Sequence, residues 1–583
     1  MLEIILTTLK QLTGHEKIKF MAINMLQIIS ASLEAIAIGT LYLLIKALNR
    51  PDSISKDDNH LSFVYSFFAP ITFNEFILWL MFLVFMAFAL KGALQLGITI
   101  IALNFSIEKT AKVCGQLMSS IMRQPFEFHL RNGFSSIEKS LNSTEKLRPK
   151  LEYISLFTTE IFLLSSLMGL LIIINYYVSL GFTSLSFFLV WAIYKFQKNN
   201  ADKLGRQRSI LFKKISHIKL QAISGIKEIR LLARENYFIN KYNQFNRQAM
   251  KIDSMSLIFS TLPKILLETI FVGIFIILLL VLIKLNKADV IIPLVGTYAL
   301  VAIRALPSLS RISYYAIYLK HLHSVEKSSH SLALTPIKKD VSLSTNQLSF
   351  QNSIKITNLS YRYDNASQNV LNNVNLTINK GDVVGFMGET GAGKSTLIDI
   401  IIGLLAPQKG LVAVDGIDIQ TNLKSWYTKI GYVPQAIYLS DNSILQNIAI
   451  GLEDDEIDRD KVIESLKKAQ AWGFVSSLPE KINTLIGERG IKLSGGQRQR
   501  LGVARSLYNN PEILFMDEAT SALDQETETA VIKAINSLSR KKTILVVAHR
   551  LSTLRYCDKI YQLKGGIITQ SSNFSGGADT DNS

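Results

Sequence analysis

Two short stretches of the 583-residue chain carry residue types that can handle a chain of phosphates. The first is Gly388-Glu389-Thr390-Gly391-Ala392-Gly393-Lys394-Ser395-Thr396, which follows an apolar Val/Phe run and opens a helical pattern. Glycines at this spacing let backbone N–H groups close around an anion at a helix N-terminus. Lys394 is placed to reach the β/γ-phosphates, and Ser395 to ligate Mg²⁺. The second stretch, Ile513-Leu-Phe-Met-Asp517-Glu518, is an apolar strand ending in two carboxylates. Asp517 at a buried strand tip supports a Mg²⁺ shell, and Glu518 beside it can orient or deprotonate an attacking water. The competing reading is a pair of surface acids at a strand end.

Such groups need a scaffold that holds both stretches at one edge. Short apolar runs at Val383–Met387, Ile513–Met516 and Thr543–Ala548 alternate with helical patterns, one of which starts at Lys394. That alternation predicts a parallel sheet covered by helices. The chain before about residue 320 is built differently. Six long apolar stretches run through Phe20–Leu48, Ile77–Leu103, Tyr153–Val178, Leu180–Phe196, Leu257–Ile283 and Val290–Tyr318. Five of them reach the roughly 20 residues that a membrane-spanning helix needs. The fourth is shorter and follows the third after a turn predicted at Val178–Leu180, so the two read as a hairpin.

Basic residues give the orientation. They crowd the loops between the second and third spans and between the fourth and fifth, including Lys109, Lys112, Lys146, Lys150, Arg206 and Arg208. By the positive-inside rule those loops, both termini and the C-terminal half face the cytoplasm, in a multi-pass protein of the cell's inner membrane. These loops account for most of the net charge of +17, from 63 Lys+Arg against 46 Asp+Glu. Nucleic acid is therefore not an expected partner, since no aromatic-interleaved basic module accompanies the charge. With 48% hydrophobic and 19% charged residues, the composition argues against disorder and against a wholly soluble protein. Cys114 and Cys557 lack metal-ligand spacing and read as structural thiols. Met1–Lys17 is amphipathic without a cleavable signal pattern. The expected layout is a transmembrane domain over 1–322, a Ser/Lys/Thr-rich linker over 323–350, a nucleotide-binding domain over 351–570 and a disordered tail over 571–583.

Leu493-Ser494-Gly495-Gly496-Gln497, between the two phosphate-handling stretches, resembles the signature of ATP-binding-cassette (ABC) proteins. Other motifs of that family stand in the same order. Tyr363 resembles the aromatic that stacks on adenine, and Gln435 the Q-loop glutamine that senses Mg²⁺ and the membrane domain. Gly487-Glu-Arg-Gly490 is similar to the exporter X-loop. Ser521-Ala-Leu-Asp524 resembles the D-loop, and His549 the switch histidine on the γ-phosphate. Six spans followed by one cassette resemble the exporter half-transporter plan. In that family the signature of one subunit closes on nucleotide held by the phosphate loop of the other. The resemblance thus implies a dimer with two sandwiched ATPs, a homodimer in its simplest form or a pair with a different half-subunit. It also implies coupling helices at the tips of the cytoplasmic extensions, around Phe126–Phe134 and Ile215–Gly225. A non-pumping, ATP-gated cassette protein is the reading from another class, against which Glu518 and His549 argue.

Charges inside the spans are the clue to cargo, because hydrocarbon makes them costly. Measured from the outer ends of their spans, Lys91 lies roughly 21 Å deep, Arg304 roughly 22 Å, and Lys264 and Arg311 roughly 30–33 Å. Arg304 and Arg311, seven apart, share a helix face. Glu34, Glu160 and Glu268 lie at similar depth and can neutralise three of these bases, leaving a surplus of one cation per copy. The run Arg304-Ala-Leu-Pro-Ser-Leu-Ser-Arg311-Ile, with Leu-Pro-Lys264, Glu34 and Glu268, resembles the flippase of lipid-linked oligosaccharides in bacterial N-glycosylation. That family carries a short external amphipathic helix, which His60–Phe68 would match; a plain loop fits as well. The resemblance implies an anionic lipid-linked glycan as cargo. Exporters of other lipids, drugs or peptides use the same scaffold.

Overall fold

The computed structural model describes residues 2–49, 72–174, 176–284, 288–327, 348–364, 366–518, 541–548 and 554–571. Two compact units divide the chain, one made of Met1–Met122 and Gly133–Thr335, the other of Arg123–Asn132 and Pro336–Ser583. Segment 60–68, most of the expected linker and residues 572–583 of the expected tail lie outside the described residues.

In the first unit a short helix α1 (Leu2–Lys10) precedes α2 (Gly14–Asn49) and α3 (Phe73–Met122). Then follow α4 (Phe126–Arg131), which belongs to the second unit, α5 (Phe134–Thr144), α6 (Leu147–Ile174), α7 (Tyr176–Ser224), α8 (Ile226–Leu231), α9 (Glu235–Lys284) and α10 (Ala288–Lys327). The six long helices α2, α3, α6, α7, α9 and α10 fall on the six apolar stretches. Among the described residues, Gly14–Leu48, Phe73–Met122 and Ser136–Ile174 are long and apolar enough to cross a membrane by length and composition. Helical structure is what such runs must adopt, because hydrocarbon offers backbone groups no other partner. Apolar side chains such as Phe82, Phe85 and Leu90 are left exposed on α3, as a lipid-facing surface requires.

The helices pack through small and weakly polar residues. Ala31, Ala35 and Ile38 of α2 meet Leu163, Leu167 and Leu171 of α6 and Tyr298, Val301 and Ala305 of α10. Alanines let backbones approach where water gives no hydrophobic drive. Gln27 then ties α2 to α6, accepting from Ser155 and Thr159 at 2.7 Å each. Ser30 donates to Gln95 of α3 at 2.9 Å.

Two local expectations need correction. Helix α7 runs straight through 178–180, where a turn was predicted. Val-Ser-Leu at 178–180 holds neither Gly nor Pro to break a helix. The second short helix is α8, Ile226–Leu231, one residue beyond the predicted 215–225, which instead forms the end of α7 and Gly225. The first falls within the predicted range, at α4.

The second unit is an α/β domain. A four-stranded antiparallel sheet has the order β2 (Leu371–Asn379), β1 (Ser353–Tyr361), β4 (Lys409–Val414), β5 (Ile417–Asp418). A six-stranded sheet has the order β10 (Ile567–Ser571), β9 (Lys559–Lys564), β3 (Val383–Gly388), β8 (Thr543–Val547), β7 (Ile513–Asp517), β6 (Ile430–Val433). All its pairings except β9–β10 are parallel. β8, which neighbours β3, and β7, which neighbours β8, are buried at every position, which explains their unbroken apolar runs. Helices α11 (Lys394–Ile402) and α12 (Gly495–Leu507) cover this sheet. Trp426, completely buried, donates from its indole to the carbonyl of Ile401 at 3.0 Å.

Gly431 in β6 marks a tight fit, because a Cβ there would lie 2.6 Å from the Ser506 carbonyl oxygen and 2.8 Å from Pro511. Backbone cannot yield as a side chain does. Gly431→Ala should therefore destabilise the domain by about 1–3 kcal/mol, read as a lowered midpoint in denaturant unfolding of the full chain.

Candidate functional site

The loop between β3 and α11 closes as the sequence requires. Gly391 and Gly393 have φ of +85° and +100°, which L side chains rarely adopt. A Cβ on Gly393 would also come within 3.0 Å of the Val370 carbonyl. Lys394 is 6% exposed, and its Nζ donates to the carbonyls of Gly388 at 2.8 Å and Glu389 at 3.0 Å. The ammonium thus bridges the mouth of the loop at the first turn of a nine-residue helix. Burial pushes it below its usual range, and the charges of Glu518 and Asp517 oppose that shift.

Asp517 ends β7 and is 8% exposed. Burial, then the neighbouring Glu518, holds its carboxyl above the ordinary range, while a hydrogen bond from Ser395 and the charge of Lys394 pull it down. Its Oδ1 is buried without a hydrogen-bond partner. Asp399, in the second turn of α11, is pushed up to about 6 by burial and by Asp517. A buried carboxylate oxygen left open beside a serine hydroxyl is the donor set that a small divalent cation takes. Ser395 and Asp517 fit Mg²⁺, and Gln435 bonds the adjacent carboxylate, Glu518. When bound, the ion would supply charge neutralisation for the phosphates.

Glu518 leaves the strand with φ +47°, a left-handed conformation uncommon for a residue with a side chain. This turns the carboxylate away from the strand end, and Gln435 donates to its Oε2 at 2.6 Å. Two residues 83 positions apart thereby share one short hydrogen bond. The backbone strain of about 1–3 kcal/mol is tolerated where function needs the group.

Tyr363 lies with its hydroxyl 3.0 Å from the Thr396 hydroxyl and its ring edge-on to Tyr361, centroids 5.1 Å apart. It is 36% exposed, so a ring face is open to a base. Within the same unit, Arg131 of α4 pairs with Asp364, the residue after Tyr363.

Ser494 is the N-cap of α12. Its hydroxyl accepts from Gln497 N at 3.2 Å, while Gln497 Oε1 accepts from Ser494 N at 2.9 Å. This capping box leaves Gly495 and Gly496 at the first helical positions, where N–H groups have no intrahelical acceptor. An anion facing that end is favoured by the dipole. Arg505 was not singled out by sequence, yet it braces the helix through the carbonyls of Asn447 at 2.7 Å and Tyr438 at 2.6 Å. A basic residue inside an amphipathic helix gives no signal that its target is backbone. Asp524 and His549 lie outside the described residues.

The charges expected among the spans are brought together in pairs. Lys91 of α3 lies 2.8 Å from Glu34 Oε2, and Arg304 of α10 lies 3.0 Å from Glu34 Oε1. The second is an ionic contact without hydrogen-bond alignment. Glu34 is 5% exposed, so one buried carboxylate serves two cations from two other helices. Arg311 pairs with Glu160 of α6 at 2.6 Å. The side chain of Lys264 is outside the described residues.

Comparison with known proteins agrees with this geometry. A family model described as the ABC transporter transmembrane region matches residues 22–299, and one described as ABC transporter matches residues 371–521. A leukotoxin export ATP-binding protein of Aggregatibacter actinomycetemcomitans is 43% identical over 222 residues, 38% of this chain and 31% of that protein. A heterocyst differentiation ATP-binding protein of Nostoc sp. is 33% identical over 368 residues, 61% of this chain and 58% of that one. The match spans about a third of the length of the toxin-exporting relatives. A solved bacterial Atm1-family ABC exporter with ATP bound has the same fold, with TM-score 0.73 over 94% of this chain and 95% of that one at 21% identity.

Glu518→Gln should lower ATP turnover about a hundredfold to ten-thousandfold in a phosphate-release assay, with ATP still bound. Gln435→Ala removes one hydrogen bond to a charged group and should lower turnover about tenfold, with ATP affinity within about twofold of the unchanged protein.

Proposed function

The chain belongs to the ABC transporter family, as an exporter-type half-transporter, and we propose that it is an ATP-driven flippase or exporter of an anionic lipid-linked glycan or related glycolipid. In this reading two copies pair, each offering its phosphate loop to the other's signature helix. ATP closes the cassettes and hydrolysis releases them, with Glu518 acting on water and His549 and Asp524 meeting the nucleotide as in the family. The complex works in the cytoplasmic membrane with both termini inside.

One observation carries the cargo class: Lys91 and Arg304 share Glu34. Two cations on one carboxylate leave one positive charge per copy at membrane depth. Cations are costly in hydrocarbon and are kept where they meet a partner. A pyrophosphate at the head of a lipid-borne glycan is such a partner, and paired copies would offer it two surplus charges. Arg311, neutralised by Glu160, adds none. Lys91 supplies its charge as a compact ammonium, without the bidentate recognition of an arginine. Protein or peptide cargo is the second reading, which the leukotoxin-exporting relative supports.

Single substitutions test the charge without stranding Glu34. In reconstituted liposomes, Lys91→Ala and Arg304→Ala each leave a neutral pair, and translocation of an anionic polyprenyl-pyrophosphate glycan should fall at least about tenfold. Basal ATP hydrolysis should persist. Glu34→Gln keeps both cations and should retain transport. Equal translocation in all four proteins would overturn the cargo assignment and leave the ATPase reading standing.

A further inference from the structure

The stretch from β6 to the short helix Ile444–Ile448 carries Gln435 and hangs between two anchors. One is β6 itself, whose last residue, Val433, pairs with Met516 of β7, next to Asp517 and Glu518. The other is α12. Arg505 of that helix donates from Nη1 to the Tyr438 carbonyl at 2.6 Å and from Nε to the Asn447 carbonyl at 2.7 Å. A guanidinium holds two such acceptors rigidly, because its donors lie in one plane. Asn447 is 1% exposed and extends the grip, donating from its amide to the carbonyls of Ser440 at 3.1 Å and Ser443 at 3.0 Å.

Packing reinforces these hydrogen bonds. A Cβ on Gly502 of α12 would collide with Ile437 Cδ1, so Ile437 lies directly on the helix backbone. Leu439 is 1% exposed and packs beside Gly490, where a Cβ would come within 2.7 Å of it. Residues 437–439 are thus seated on α12. Between Val433 and Ile437 only Pro434, Gln435 and Ala436 remain to take up movement. Gln435 is the middle one, with its amide on Glu518 Oε2 at 2.6 Å.

Helix α12 is anchored unevenly. Its last turn is pressed on β6, where a Cβ on Gly431 would lie 2.6 Å from the Ser506 carbonyl oxygen. Ser494, at its other end, is exposed. Arg505 is eleven residues from Ser494, about 16 Å along the axis at the usual rise, and so sits near the anchored end. A pivot there turns a shift of a few ångströms at Ser494 into a fraction of an ångström at Tyr438. A hydrogen bond to a carboxylate depends on distance and angle at that scale.

We propose that α12 carries the Gln435 segment, with Arg505 as the positioning residue, so that the placement of Gln435 on Glu518 follows the position of the signature end. The inference rests on Glu518 acting on water, as proposed above, and not on the cargo. Arg498 and Arg500 of the same helix also donate to backbone, but to the carbonyls of Leu493 at 2.8 Å and Gln470 at 3.0 Å, outside that segment.

The test is a double-substitution cycle read by steady-state ATP hydrolysis of the full chain in liposomes. Arg505→Lys keeps the charge but cannot serve both carbonyls from one plane. It should lower kcat about fivefold, with KM for ATP within about twofold of the unmodified protein. Combined with Gln435→Ala it should cost nothing more, so the double variant should match Gln435→Ala within about twofold. A brace that only stabilised the domain would instead multiply the two losses. Arg500→Lys is the control on the same helix and should leave kcat within about twofold. If Arg505→Lys fails to fold, Gly502→Ala displaces Ile437 without touching Arg505 and should show the same pattern with Gln435→Ala. Multiplied losses in the double variant, unchanged kcat in Arg505→Lys, or an equal loss in Arg500→Lys would overturn the link and leave Glu518 in its role. Full turnover in Gln435→Ala would overturn the reading of the site on which the link rests.

Discussion

Asp517 ends a strand whose five residues are all buried, and a carboxylate in that position costs free energy unless cations face it. Much of the nucleotide-binding domain answers that cost. Lys394 folds across the loop mouth, Ser395 donates to the same carboxylate, and one oxygen is left open. The parallel sheet supplies the low-dielectric setting, and the left-handed glycines supply a loop narrow enough to bring backbone N–H groups in. Positive charge is wanted there before any nucleotide arrives. A metal–phosphate complex meets that demand with the ion and brings its own anion to the loop.

The membrane unit handles a buried charge by the opposite route. Glu34 is surrounded by two cations, so its own cost is covered and a surplus remains. In the cassette the acids outnumber the base, whereas in the helices the bases outnumber the acid. The signs match the two partners argued above, a cation complex in one place and an oxyanion in the other.

The phosphate-loop geometry and the strand that ends in two carboxylates were legible because each is local. Gly388 to Thr396 and Ile513 to Glu518 are continuous runs whose strand and helix contexts follow from their own composition, and both elements appear where the patterns put them. The Gln435–Glu518 hydrogen bond was not legible, since 83 residues separate the partners and no period links them. Depth arithmetic placed Glu34, Lys91 and Arg304 at one level but could not say that a single acid serves both bases; that depends on how α2, α3 and α10 are rotated. The turn expected at Val178–Leu180 is replaced by continuous helix, since nothing in those residues interrupts the backbone ladder. Arg505 stayed hidden because its acceptors are carbonyls, which carry no sequence signature.

Helix α3 runs unbroken for 50 residues, about 75 Å at the usual rise, more than twice the hydrocarbon thickness of a bilayer. Half of it therefore stands clear of lipid as a rigid spoke. A tilt of about five degrees around a fulcrum in the bilayer swings its far tip sideways by a few ångströms. Leverage of that kind needs no hinge and no melting of hydrogen bonds, only a shaft that does not bend.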